Sequence, residues 1–183
     1  YGIHGEDKGI YKQEDNVAHG VSILCRYLLA AKNKNMEIPG MEKYFDAIDR
    51  GAAYARKNYY RKEIHLFYST TSIHESAIEE GYTIWVNYAY LLMFRLIERV
   101  GAAYGIPGRF AGEAEVRAGF QPTVEKVFTH SGRYIRRLKP DGTLDLRPDI
   151  TLLSPFFFGT GLDGDYFDNN ATFNNSIAFI EDM

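Results

Sequence analysis

This sequence has almost no cysteine. Cys25 is the only one among 183 residues, so no internal disulfide can form, and a disulfide-stapled secreted scaffold or a cysteine zinc site is excluded. It lies in the run VSILCRYLL and is expected to be a small core residue. Charge of one sign is also lacking: 24 acidic residues stand against 21 basic ones, which leaves no basic face for a nucleic acid. The glycine-rich phosphate loops GxGxxG and GxxxxGK are missing, as is the GxSxG nucleophile elbow. Histidines occur singly at 4, 19, 65, 74 and 130, with no His-x-x-x-His or Glu-x-x-His pair, so no metal site is expected. The opening YGIHGEDKG is no signal peptide, and no apolar run is long enough to span a bilayer. The expectation is a soluble, cytoplasmic protein with neither membrane nor nucleic acid as partner.

What is present is aromatic and helical. The chain holds 14 Tyr and 12 Phe beside one Trp, a composition that suits large cores and also wet pockets, where a ring stacks while its hydroxyl stays solvated. The stretch from Ile84 to Val100 is apolar most of the way round a helix, with only Asn87, Arg95, Glu98 and Arg99 strongly polar. Such a helix is buried on nearly every face. Just ahead of it stand Glu75, Glu79 and Glu80, which aim carboxylates at the protein interior.

The remaining elements follow from period and punctuation. From Gln13, the positions Val17, Val21, Leu24 and Leu28 mark a helix capped by Asp15 or Asn16 and fading around 31–35. After Pro39-Gly40 a second helix places Tyr44, Phe45, Ile48, Ala52 and Ala55 on one face, and ARKNYYRKEI then reads as loop. His65 to Thr71 is extended or loop. Gly105, Pro107 and Gly108 close the long helix, and another runs from about Glu113 to His130, with Pro122 as its start or kink. Tyr134 to Arg147 reads as a small hairpin about Pro-Asp-Gly-Thr. A short buried helix in DITLLSPFFFGTG, an acidic loop and a last helix end the chain. The class is all-α: antiparallel helices with a small β-hairpin insertion. Tyr1 is no initiator, and FNNSIAFIEDM has the apolar spacing of a helix only begun. Residues 1–183 are therefore read as part of one helical domain, cut at both ends from a longer polypeptide.

Carboxylates are the best candidates for chemistry. Ser72 with Glu75, and Ser76 with Glu79, keep the spacing of a capping box, which would make these acids helix-start residues. A carboxyl group partly buried against Tyr82 or Trp85 would instead hold its proton and act as a general acid. Glycosidic bond hydrolysis needs two such groups. The loop Asp163-Gly-Asp165-Tyr-Phe-Asp168 is oxygen-rich enough for Ca²⁺ but lacks the EF-hand spacing.

Three stretches taken together resemble glucoamylase-type glycoside hydrolases of family 15: YKQEDNVAHGVSILCRYLL, then YSTTSIHESAIEEGYTIWVNYAYLLMFRLIERVG, then RPDITLLSPFFFGTG. Gln13-Glu14-Asp15 resembles the family's Gln-x-Asp helix opening, and Ser72-Ile73-His74-Glu75 resembles its Asp-Leu-Trp-Glu motif. Thr83 follows at the expected spacing, and Asp149-Ile-Thr-Leu-Leu resembles the Asp-Ala-Ser-Leu-Leu helix start. His74 stands where the family has Trp, and Ser76 where it has a second Glu. The resemblance implies an (α/α)6 barrel, present here in part, and an inverting exo-acting α-glucosidase of α-glucoside substrates that needs no cofactor. It implies Glu75 as general acid, with Glu79 as second choice, and His74, Tyr82 and Trp85 as substrate-binding residues. The general base would lie in the rest of the polypeptide. Related barrels also serve as non-catalytic regulatory or carbohydrate-binding modules, which is the alternative reading.

Overall fold

A computed structural model of the chain describes residues 13–71, 78–159 and 171–182. These residues are mostly helical, with small antiparallel sheets. The helix expected over 84–100 is α3, Ile84–Ala103, and its residues Ile84, Met93, Phe94, Leu96, Ile97 and Val100 are fully buried. It starts where Thr83 turns extended and its Oγ1 accepts from Val86 N at 3.4 Å. Its first amide is also satisfied, since Ile84 N donates to Arg136 O at 3.0 Å. At the far end Gly105 takes φ +69°, with Ile106 N donating to Gly101 O at 2.8 Å and Gly105 N to Ala102 O at 3.2 Å. That pair of bonds is a Schellman motif, for which glycine is favoured because it carries no Cβ.

Three helices pack on α3: α1 (Asn16–Asn33), α4 (Ala111–Val127) and α5 (Ser154–Gly159), while α2 (Glu42–Asn58) packs on α1. The amphipathic faces read from sequence turn toward the core, with Val21 and Leu28 buried and Val17, Leu24 and Tyr44 half-buried against it. Ala18, Val21, Cys25 and Leu28 of α1 meet the core, as do Phe45, Ile48, Ala52 and Ala55 of α2. Cys25 is the small core residue expected, and burial pushes its thiol up to about 12. α4 continues through Pro122. The last helix, α6 (Ala171–Glu181), meets the strand Arg133–Tyr134 through Ser176, whose Oγ accepts from Tyr134 N at 2.8 Å. Among the described residues no helix is long and apolar enough to cross a membrane.

The strands are more numerous than one hairpin. β1 (Tyr60–Arg61) pairs with β2 (Leu66–Phe67), so part of the segment expected to be loop is a hairpin. β4 (Thr129–His130) pairs with β5 (Arg133–Tyr134). The expected hairpin is β6 (Arg137–Leu138) with β7 (Leu144–Asp145), its turn held by Asp141 Oδ1 accepting from Thr143 N at 2.9 Å. It is not an isolated insertion, because β3 (Tyr82–Thr83) pairs with β6 and makes a three-stranded sheet that leads into α3. Ladders of two residues are too short to show period-two alternation in a sequence.

Candidate functional site

The N-terminal end of α3 gathers polar groups from four separate stretches. Glu14, only 3% exposed, accepts from Thr70 N at 3.1 Å and Thr70 Oγ1 at 2.6 Å on one carboxylate oxygen, and from Thr71 Oγ1 at 3.0 Å on the other. A buried carboxylate with three donors is compensated for its lost water. Tyr90 adds a bond from its hydroxyl to Glu14 O at 2.5 Å. Asp15 occupies the N-cap position of α1, but its side chain makes no cap hydrogen bond. Its Oδ2 instead accepts from Trp85 Nε1 at 2.9 Å and lies 3.3 Å from His19 Nε2. Burial alone would raise the Asp15 carboxyl, but the bonds from His19 and Trp85 outweigh it and hold the group below its ordinary value.

Trp85 is therefore fixed through its N–H while its ring stays half-buried. The indole stacks on Phe157 at 5.2 Å and meets Phe158 edge-on at 4.7 Å. His19 lies 5.9 Å from Phe158, so α1, α3 and α5 share one aromatic wall.

A second cluster lies on the three-stranded sheet. Glu79 N donates to Thr70 O at 2.8 Å, and Ser69 and Gly81 exchange backbone bonds at 2.9 and 3.0 Å. Gly81 has φ +129°, and a Cβ there would lie 2.6 Å from Leu138 O, so only glycine permits this approach to β6. The Glu79 carboxylate turns inward to the Arg136 guanidinium, both side chains being buried. Arg136 also meets Asp145 at 3.3 Å and Asp149 at 3.1 Å, and Asp145 is shared with Arg137 and Arg147. Three guanidinium groups thus face three carboxylates. Hydrogen bonds from Arg147 hold the Asp145 carboxyl well below the usual carboxylate range, against the opposing effect of burial.

Of the site residues expected from sequence, His74 and Glu75 lie outside the described residues, as do the candidate calcium ligands Asp163, Asp165 and Asp168. Glu79 does not belong to a capping box: it lies outside any helix, its amide is drawn to Thr70, and Thr83 caps α3 instead. Its carboxylate is committed to Arg136, whereas Glu80 is exposed. Trp85 and Tyr82 stand in different aromatic groups, since the Tyr82 ring meets Tyr68 edge-on at 5.5 Å, beneath Arg61. Sequence reasoning did not single out His19 or Arg136. The only available signal for His19 was its four-residue spacing from Asp15, which puts both on one helical face. Among the described residues no group of three or more His, Cys, Asp or Glu is placed to hold a metal ion. In comparisons with known proteins, no family model, curated protein or solved structure matches this chain.

Proposed function

We propose that this chain is part of the (α/α)6 barrel of an inverting, exo-acting α-glucosidase of glucoamylase type, with Glu75 as general acid. One observation carries the reading: the described residues on either side of the segment bearing Glu75 are fixed to one another and to the start of α1. Thr70 and Glu79 are joined by a 2.8 Å backbone bond, Glu14 holds Thr70 and Thr71, and the adjoining Asp15 holds Trp85. Beside these flanking residues stand a buried carboxylate, Glu14, and the half-buried Trp85 indole held by Asp15, surroundings that suit a sugar ring and a proton donor. Glu79, engaged by Arg136, is the weaker candidate donor.

In this reading Glu75 gives its proton to the leaving glycosidic oxygen. A carboxylate supplied by the rest of the polypeptide activates water on the opposite face of the ring, roughly 6.5–9.5 Å from the acid. Asp15 keeps Trp85 in register as a wall of the site. The test is glucose release from maltose and isomaltose by the intact polypeptide, wild type against Glu75→Gln. Turnover should fall by about 10²–10⁴-fold while the folded circular dichroism spectrum is kept. Activity within a few-fold of wild type removes Glu75 as the acid, and α-glucose as the first-formed anomer removes inversion.

A further inference from the structure

A cavity of about 390 Å³ opens between α1, α3 and α5 beside the Asp15–Trp85 pair, without including either residue in its lining. Its volume is within the range of small-molecule pockets, roughly 300–1,000 Å³. One part of the wall is apolar: Leu92 comes from α3, Phe157 and Phe158 from α5, and Ile23 from α1. Ile23 and Phe157 are 67% and 59% exposed, so these side chains stand open rather than packed away. The other part is polar and comes from one face of α1, where His19, Ser22 and Arg26 recur at three- and four-residue spacing.

Two features set the sign of what would enter. First, no carboxylate among the described residues lines the cavity, and the Asp15 oxygen nearest in sequence is taken up by Trp85 and His19. Arg26 is exposed, and among the described residues no ion pair or hydrogen bond engages its guanidinium. Second, Ser22 is only 5% exposed, lines the cavity, and has no hydrogen-bond partner among the described residues. The Ser22 hydroxyl keeps access to solvent rather than being sealed in the protein, so it can donate to a molecule in the cavity.

We propose that this cavity binds a small carboxylate with an aromatic or aliphatic body. The carboxylate pairs with Arg26 and accepts from Ser22, while the body lies against Phe157, Phe158 and Leu92. The proposal uses none of the evidence for Glu75 and does not depend on that reading.

Calorimetric titration of the intact protein with phenylacetate, its neutral amide phenylacetamide and the cation phenethylamine tests the proposal. Phenylacetate should bind saturably and about tenfold tighter than the amide, the worth of one charge-assisted hydrogen bond. Arg26→Glu, a change at an exposed position that leaves the fold intact by circular dichroism, should abolish phenylacetate binding and favour phenethylamine. Ser22→Ala should weaken phenylacetate several-fold. Absence of saturable phenylacetate binding, equal affinity for the amide, or unchanged binding in Arg26→Glu would each overturn it. The first of these is also the result expected if a second macromolecule covers the cavity instead.

Discussion

Phe67 and Arg136 are both buried beside α3, and they are held by opposite means. Phe67, fully buried, stacks on Tyr90 at 3.9 Å and touches Tyr60, Phe94 and Phe120 at ring separations of 5.1, 5.9 and 5.1 Å. Arg136 sits among Glu79, Asp145 and Asp149, with Arg137 and Arg147 completing a balanced set of charges. The aromatic cluster gains from excluded water, needs no partner of opposite charge and is indifferent to pH. The charged cluster loses its hydration and regains it only if every partner is present. Two clusters held by such different means should therefore fail differently.

Phe67→Ala is expected to have the largest effect. It deletes a ring at the centre of four aromatic contacts and leaves a cavity, at a cost of about 4 kcal/mol. Asn87 holds the Phe67 backbone from both sides, accepting from Phe67 N at 2.8 Å and donating to Phe67 O at 3.0 Å, so the strand does not easily collapse into the gap. Urea denaturation should show the same loss at pH 7 and pH 3.5. A loss below about 2 kcal/mol would mean that neighbouring rings fill the space, and the contrast with the charged region would weaken.

Arg136→Met comes next, at about 3 kcal/mol near neutrality, because it strands carboxylates that have no water to return to. Its cost depends on pH in a way that Phe67→Ala does not. Asp145 is depressed in the folded protein, while an unfolded aspartate titrates near about 3.9. Its contribution is therefore complete above about pH 4 and is lost as the pH falls towards the folded value. In Arg136→Met two guanidinium groups face three carboxylates, and protonating one restores the balance. The gap between wild type and variant should narrow in acid, followed by urea midpoints from pH 7 to pH 3. A gap that stays constant would show that Arg136 contributes by packing its stem rather than by charge.

The same contrast explains what the sequence revealed. α3 was legible over 84–100 because apolar residues all round a helix have one physical solution, and the helix runs to Ala103 only because Gly105 supplies the stop. The faces of α1 and α2, the core place of Cys25 and the Pro-Asp-Gly-Thr hairpin were legible for the same local reasons. The charged region was not. Glu79 and Arg136 are 57 residues apart, Glu14 and Thr70 are 56 apart, and neither pair has a periodic signature. Glu79 looked like a capping residue because the spacing Ser76 to Glu79 is local, whereas its actual partner is remote. Trp85 was singled out as a site wall, but the Asp15 bond that fixes it spans 70 residues and shows only in three dimensions.

Thr83 stands where the two regions join, and it separates their contributions most finely. Its backbone belongs to β3 opposite Arg137, and its hydroxyl both caps α3 at Val86 N and lies 3.5 Å from Ser69 Oγ. The cap bond is long at 3.4 Å, so Thr83→Ala should cost about 1 kcal/mol, within the ordinary range for a lost N-cap. Thr83→Ser keeps the oxygen and gives up only the methyl group, while Thr83→Val keeps the shape and discards the acceptor. If the cap is what matters, thermal denaturation will rank Ser above Val. If the methyl group buried against the helix start matters more, Val will rank first, and the end of α3 belongs energetically to the apolar region rather than to the charged one.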